Sequence, residues 1–183
     1  MPTIKDPNNL DFKIKKSTSD DAAAIVSLVN QEYERSGAVL RISKDEAIKW
    51  IANGTSLVAK DVYGCIVGHI SANVWPASGY IELRSFVVNP SFRKKGIGIR
   101  LVINMLKSIK KRYGDRQIIS FTNKFGSGKR ILTANGFKPF DYEKVPKELF
   151  SIGMPHRGKK EHGYMVFVLK CSNAKSKLNN FGG

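Results

Sequence analysis

The chain lacks three features that would place it in large classes of protein. Only two of its 183 residues are cysteines, Cys65 and Cys171, which is too few for the disulfide framework of a small secreted domain. No run of about 18 apolar residues occurs, so no membrane-spanning helix is predicted. The first residues include no apolar segment of the kind that a secretory signal needs. We therefore expect a cytoplasmic protein without a membrane partner.

Acidic residues are scarce in the second half of the chain. The sequence has 31 Lys and Arg against 15 Asp and Glu, a net charge of +16. Residues 1–92 contain ten basic and ten acidic residues, whereas residues 93–183 contain 21 and five. Such a field favours a polyanionic partner, although a basic surface also serves solubility alone. A phosphorylated cofactor, nucleic acid and the ribosome are therefore the candidate partners of this half.

The composition is that of one globular domain. Hydrophobic residues make up 42% of the sequence and charged residues 25%, which is enough apolar material for one core. A length of 183 residues also favours one domain over two. We place this domain at residues 1–170 and expect the polar residues 171–183 to form a disordered tail.

Two hydrophobic periodicities follow each other along the chain. Alternating and apolar runs predict strands at residues 12–15, 56–60, 65–73, 81–88, 117–122 and 164–169. Cys65, at the start of one of these strands, is expected in the core. Apolar residues three or four apart predict helices, including one from residue 96 to residue 112. The pattern indicates a mixed α/β domain with a strand–helix–strand unit in the middle.

The most informative segment joins a predicted strand to the helix that begins near Gly96. Gly96 and Gly98 let the backbone approach a ligand closely, because neither residue has a Cβ atom. Free N–H groups and the dipole at the start of the helix favour an anion there. Arg93 and the two lysines that follow it add positive charge. This turn is therefore predicted to bind phosphate.

Single residues exclude two familiar nucleotide motifs. A dinucleotide fingerprint requires a third glycine at position 101, where the chain has Leu101. Residues 126–129 resemble the end of a P-loop, but that motif needs glycine at position 123 and Ser or Thr at position 130. The chain has Asn123 and Arg130 there. The phosphorylated ligand is therefore expected to be of another kind.

The turn resembles the acetyl-CoA site of the GNAT superfamily of N-acetyltransferases. The signature of that superfamily, Q/R-x-x-G-x-G/A after a V-x-P strand end, matches Val88-Asn89-Pro90 and Arg93-Lys-Lys-Gly96-Ile-Gly98. The resemblance covers residues 12–169 and includes Asn135-Gly136-Phe137 after the last predicted helix. It implies a single GNAT-like domain with a mixed central sheet of about six or seven strands flanked by helices. It also implies acetyl-CoA as the cosubstrate and no metal.

The resemblance implies which residues contact the cofactor. In this superfamily, amides of the turn hold the pyrophosphate, and the pantetheine arm lies beside the preceding strand like an added strand. One amide of that strand holds the thioester carbonyl and the oxyanion formed from it. The implied cofactor-binding residues are Phe86, Val87, Val88, Arg93, Lys94, Lys95, Gly96, Ile97, Gly98, Ile99 and Asn123.

The implied reaction is direct attack of an amine on the thioester in a ternary complex. A lysine-like amine has a pKa of about 10.4, so its proton must be removed before it attacks. Strand alternation places Glu82 on the same face as Arg84 and Phe86, next to the cofactor. Related enzymes of the superfamily often use a carboxylate in this neighbourhood, so the resemblance makes Glu82 a candidate general base. An ion pair of Glu82 with Arg84 or across the strands is the alternative.

The superfamily usually has a tyrosine that acts as the general acid. In this chain Leu132 stands at that position. Tyr142, Tyr164 or water is expected to protonate the leaving thiolate instead. A thiol with a pKa near about 8.5 also leaves readily without help. A catalytically silent module of the same fold, which binds CoA, nucleic acid or the ribosome, is the alternative that Leu132 favours.

The acceptor is expected to be a primary amine: an amino acid, a small amine, or the N-terminus or a lysine of a protein. Phe121-Thr122, Gly136-Phe137-Lys138 and Val145-Pro146 resemble amino-acid acetyltransferases of the N-acetylglutamate-synthase type. The basic second half suits an acidic acceptor equally well. His156, His162 and Cys171 would need a fourth ligand and tighter spacing to hold zinc, so no metal site is predicted. A monomer or a homodimer is expected.

Overall fold

The computed structural model describes residues 12–123, 128–151 and 164–170. They form seven strands and five helices: β1 (Lys13–Lys16), β2 (Ser56–Lys60), β3 (Ile66–Trp75), β4 (Tyr80–Val88), β5 (Gln117–Asn123), β6 (Lys138–Phe140), β7 (Tyr164–Leu169), α1 (Ala22–Ser36), α2 (Lys44–Ala52), α3 (Ile97–Tyr113), α4 (Gly128–Ala134) and α5 (Glu148–Ser151). One mixed sheet contains all seven strands in the order β1-β2-β3-β4-β5-β7-β6. Among the described residues, no helix is long and apolar enough to cross a membrane.

The fold prediction is confirmed, and the six predicted strands lie within two residues of the observed ones. The sequence missed β6, a three-residue strand with Pro139 at its centre, because so short a segment shows no periodicity. The prediction for Cys65 is wrong. Its side chain is exposed, because the chain is still in the β2–β3 turn there, where the Cys65 amide is bonded to Asp61. The predicted tail, residues 171–183, lies outside the described residues.

Helices cover both faces of the sheet. On one face, α3 buries a stripe made of Ile97, Leu101, Met105 and Ile109, each at most 2% exposed, against the central strands. This is the four-residue spacing that predicted the helix. On the other face, α1 and α2 form a second apolar cluster with residues of β2 and β4. The central strands of the sheet are therefore buried on both sides.

The parallel strands β4 and β5 separate halfway along their length. Their pairing begins at Tyr80 and Gln117 and ends at Leu83 and Ser120, although both strands continue beyond those residues. Just after this point, Ser85 has a φ of 47°, and the pairing of β4 with β3 shifts register. A β-bulge of this kind adds a residue to one strand and bends it. The second half of β4 therefore diverges from β5.

The bulge corrects one prediction. Glu82, Arg84 and Phe86 do not share a face, because the extra residue at Ser85 reverses the alternation. The Arg84 guanidinium lies 5.9 Å from the ring centre of Trp50 in α2, whereas Phe86 packs with the cluster on the α3 face. Glu82 and Phe86 therefore lie on opposite faces of the sheet.

Candidate active site

A pocket of about 790 Å³ lies where β4 and β5 diverge, a volume in the range of about 300–1,000 Å³ that is common for small-molecule sites. Its wall combines the second half of β4, the turn before α3, the end of β5, α4 and the C-terminal part of α1. Nine of the eleven predicted cofactor residues line it: Phe86, Val87, Val88, Arg93, Lys94, Gly96, Ile97, Gly98 and Ile99.

The start of α3 presents free amide donors to this pocket. Gly96 precedes the helix in the left-handed conformation, with φ 78°, and has no side chain to cap it. The first intrahelical bond runs from the amide of Arg100 to the carbonyl of Gly96, 3.1 Å. The amides of residues 97–99 therefore precede the helical hydrogen-bond pattern, as the first amides of any helix do. Lys94 also has a positive φ, 62°, which is strained for a residue with a Cβ atom.

Gly98 allows close packing of the pocket wall. A Cβ atom built on Gly98 would lie 3.0 Å from Cδ1 of Ile131 and 3.1 Å from Cζ of Phe86, closer than ordinary van der Waals contact. The sequence predicted this glycine as a place where a ligand approaches. The structure shows that it also lets α4 and the Phe86 ring approach α3.

Arg93 joins the phosphate-binding turn to helix α1. Its Nε donates to the carbonyl of Val88, 3.0 Å, and its Nη2 donates to Oε2 of Glu32, 2.8 Å. Glu32, at 8% exposure, also accepts two hydrogen bonds from Arg35, of 2.9 and 2.6 Å. Nothing in the sequence pointed to Glu32, because it lies 61 residues before Arg93.

Glu32 is the one carboxylate in the described wall of the pocket, and it is held ionised. Burial alone would raise the pKa of Glu32, but hydrogen bonds from Arg35 and Ser36 and the charge of Arg93 outweigh burial. The net effect lowers the pKa below its ordinary value. A carboxylate stabilised in this way is a weak proton acceptor, so Glu32 is better suited to hold Arg93 than to deprotonate an amine.

Two of the predicted cofactor-binding residues, Lys95 and Asn123, are not among the described residues that line the pocket. The Lys95 ammonium lies over the ring of Phe92, 5.5 Å from its centre, and Lys95 does not line the pocket. Asn123 ends β5, where its backbone pairs with Tyr164, and the side chains of both residues lie outside the described part. Their predicted roles stay predictions.

Glu82 and Tyr142, the two catalytic candidates whose side chains are described, do not line the pocket. Glu82 is 1% exposed. It accepts a hydrogen bond of 3.3 Å from Nε1 of Trp75, and its Oε1 lies 3.8 Å from Nε of Arg84. The ion pair that was the alternative for Glu82 is therefore present. Tyr142 packs against the cluster formed by β5 and β7 and is not in the pocket lining, whereas Leu132 is.

A buried histidine holds the carbonyl of the bulge residue. His69 is 0% exposed, with Nδ1 3.0 Å from the carbonyl oxygen of Ser85 and Nε2 3.0 Å from Oγ of Ser56. A carbonyl only accepts, so Nδ1 carries the proton and the Ser56 hydroxyl donates to Nε2. The Ser17 hydroxyl then donates to Ser56, 2.7 Å. Burial lowers the pKa of His69 to about 4, although the hydrogen bond to Ser85 opposes the shift.

No group of three or more His, Cys, Asp or Glu residues that could hold a metal occurs among the described residues. The loop histidines, His156 and His162, lie outside that part of the chain.

Comparison with known proteins identifies the family. Residues 23–125 match the model of the acetyltransferase (GNAT) family, so the chain belongs to this family, as its turn predicted. An uncharacterized N-acetyltransferase of Chlorobaculum tepidum is 26% identical over 140 residues, which cover 76% of this chain and 84% of that protein.

Two solved structures illustrate the shared fold. N-acetylglutamate synthase from Neisseria gonorrhoeae, complexed with coenzyme A and N-acetyl-glutamate, superposes with a TM-score of 0.70 at 16% identity. The match covers 88% of this chain but only 35% of the synthase. Diaminobutyrate acetyltransferase from Paenibacillus lautus, in complex with L-2,4-diaminobutyric acid and coenzyme A, superposes with a TM-score of 0.67 at 18% identity, covering 88% of this chain and 96% of that one.

The buried histidine generates a prediction about pH. The pKa of His69 is about 4 in the folded chain and about 6.5 when exposed, so the unfolded chain binds more protons between these values. The free energy of unfolding should therefore fall as pH drops from 6.5 to 4, by up to about 1.4 kcal/mol per pH unit from this group. In His69→Asn, which keeps an N–H donor near Nδ1, this part of the slope should disappear.

Urea unfolding of both proteins at several pH values between 4 and 8 measures this slope. The region above pH 7 serves as an internal control, because His69 does not change its protonation there in either state. Equal slopes below pH 6.5 in the two proteins would show that His69 is protonated in the folded chain.

Proposed function

We propose that the chain transfers the acetyl group of acetyl-CoA to a primary amine, which attacks the thioester directly in a ternary complex. The observation that carries this proposal is the gap between β4 and β5, with the free amides of α3 at its edge. Membership of the acetyltransferase family and the coenzyme A in two structural relatives support it.

The donors in the gap suit the two parts of the cofactor. The amides of residues 97–99 and the positive end of a 17-residue helix suit a pyrophosphate, and Lys94 lines the same wall. Residues 86–88 of β4 have lost their pairing with β5. Apart from the Val88 carbonyl, which accepts from Arg93, their backbone on that side is free to pair with the amides of the pantetheine arm, as a strand would.

The chemistry then requires a neutral amine next to the thioester. Acetyl-CoA, when bound, supplies the carbonyl carbon that the amine nitrogen attacks. The new C–N bond forms, the C–S bond breaks, and the sulfur leaves as the thiolate of CoA. A backbone amide of residues 86–88 would stabilise the oxyanion, a contribution that is commonly about 2.7–4 kcal/mol for one donor.

The group that we propose as proton acceptor, Glu82, is not among the described residues that line the pocket. We propose that Glu82 accepts the amine proton through water, because the wall carboxylate Glu32 is saturated by hydrogen bonds. The leaving thiolate needs no strong acid, since thiols have a pKa of about 8.5. Tyr142 does not line the pocket, so water or Tyr164 is the proposed proton donor where one is used.

An acetyl-transfer screen tests the proposed function. Acetyl-CoA should raise the free energy of unfolding by about 2.7 kcal/mol at a hundred times its dissociation constant, and ATP and NAD should raise it much less. Mass spectrometry of amino acids, small amines and peptides incubated with acetyl-CoA should reveal a product that carries one acetyl group. Coenzyme A binding without any acetylated product would favour the silent module instead.

Glu82→Gln tests the proposed base. The amide keeps an oxygen for the N–H of Trp75 but cannot take a proton, so turnover at neutral pH should fall about 10²–10⁴-fold. The affinity for acetyl-CoA should not change, and the acid limb of the pH–rate profile should disappear. Glu143→Gln, an exposed site outside the pocket, is the matched control. Turnover of Glu82→Gln equal to that of the control would leave Glu82 only its ion pair with Arg84.

A further inference from the structure

We infer that Arg84 binds a carboxylate of the acceptor, so that the acceptor is an amino acid or another small amine with a carboxylate next to its amino group. This inference rests on the proposed acetyl transfer and deepens it, because it names the acceptor class. Three observations carry it: the burial of the Arg84 guanidinium, its unused hydrogen-bond donors, and the charges of the surrounding wall.

Arg84 is almost fully buried at the point where the pocket begins. Its side chain is 8% exposed, and it lines the pocket immediately before the bulge at Ser85. The guanidinium lies 5.9 Å from the ring centre of Trp50, which limits its freedom on that side. Such a position fixes the cation instead of leaving it on a mobile surface chain.

The donors of Arg84 are not used within the described part of the chain. A guanidinium has five N–H donors, yet no hydrogen bond from this one to a described residue is found. Oε1 of Glu82 lies 3.8 Å from Nε, a distance for Coulomb attraction but not for a hydrogen bond. By contrast, Arg35 and Arg93, in the same pocket wall, each donate two hydrogen bonds.

A nearly buried cation with unused donors is costly unless an anion joins it. The nitrogens of Arg84 are not among the fully buried atoms without a hydrogen bond in the described residues, so they remain accessible. Because Arg84 lines the pocket, they are accessible from the pocket. A ligand in the pocket is therefore the group that completes the hydrogen bonds of Arg84.

A carboxylate fits Arg84 better than other anions. Its two oxygens match the planar fork of a guanidinium, and its single charge suits a cation that Glu82 already neutralises in part. The other lining charges also exclude a purely cationic acceptor. Described residues of the wall supply one acidic group, Glu32, against five basic ones: Arg35, Arg84, Arg93, Lys94 and Arg130.

Distance along the strand restricts the acceptor further. Arg84 precedes Phe86 by two residues, at most roughly 7 Å of extended chain, and the thioester is proposed to lie beside residues 86–88. A ligand held by Arg84 therefore presents its nitrogen to the thioester only if amine and carboxylate are close together. An α-amino acid meets this condition, whereas the N-terminus of a peptide has no carboxylate beside it.

The test compares acceptors that differ only in the carboxylate. Each α-amino acid that the screen finds is assayed beside its primary amide and its decarboxylated amine, with CoA release as the readout. Because charge-assisted hydrogen bonds are lost, kcat/KM for the amide and the amine should be about 10- to 100-fold lower than for the acid. The comparison uses the wild-type chain, so it holds even if a variant does not fold.

Two substitutions then connect the preference to Arg84. Arg84→Gln should abolish the preference for the acid without changing the affinity for CoA, and Arg84→Lys should keep part of it, because it keeps the charge but loses the fork. Arg116→Gln, an exposed arginine outside the pocket, removes the same charge and should keep the full preference.

Different outcomes overturn the inference and the proposed function. Equal kcat/KM for acids, amides and amines, or a preference for peptides, would overturn the inference and leave the acetyltransferase intact. An acid preference that survives in Arg84→Gln would also overturn it. If CoA binds and no amine is acetylated, the proposed function fails, and this inference fails with it.

Discussion

The left-handed backbone of one residue, Ser85, separates the two parallel strands between which the pocket lies. Hydrogen-bonded neighbouring strands lie only about 4.8 Å apart, so the space requires that the pairing of β4 with β5 ends. The strain of φ 47° at a residue with a Cβ atom persists because the surroundings hold it. His69 provides this hold: its Nδ1 proton bonds the Ser85 carbonyl, which fixes the tautomer, and the hydroxyls of Ser56 and Ser17 continue the hydrogen bonds from Nε2.

The charges around the pocket divide into two groups with different consequences. Arg93 is committed to the protein, because Glu32 and the Val88 carbonyl accept its hydrogen bonds. It links the turn that we assign to the cofactor with helix α1. Arg84 is committed to no described hydrogen-bond partner and is nearly buried. The first arrangement holds the site together, and the second leaves a place for a ligand.

Much of this was predictable, and the limits have physical causes. Periodicity placed α3 and the strands, and the glycines and basic residues of the turn indicated a phosphate site before any fold was known. The bulge was not predictable, because serine does not indicate a positive φ as glycine does. Without the bulge, strand alternation wrongly placed Phe86 on the same face as Glu82. The partnership of Glu32 with Arg93 spans 61 residues, and a single sequence carries no record of such a contact.

A crystal structure of the chain with coenzyme A tests the central claim that the divergence of β4 and β5 forms the cofactor site. The account predicts the pyrophosphate within hydrogen-bond distance, about 2.7–3.2 Å, of the amides of residues 97–99. It also predicts the pantetheine arm along residues 86–88, with the sulfur between the two strands. Coenzyme A bound on another surface, or in the gap with its pyrophosphate away from α3, would contradict the account.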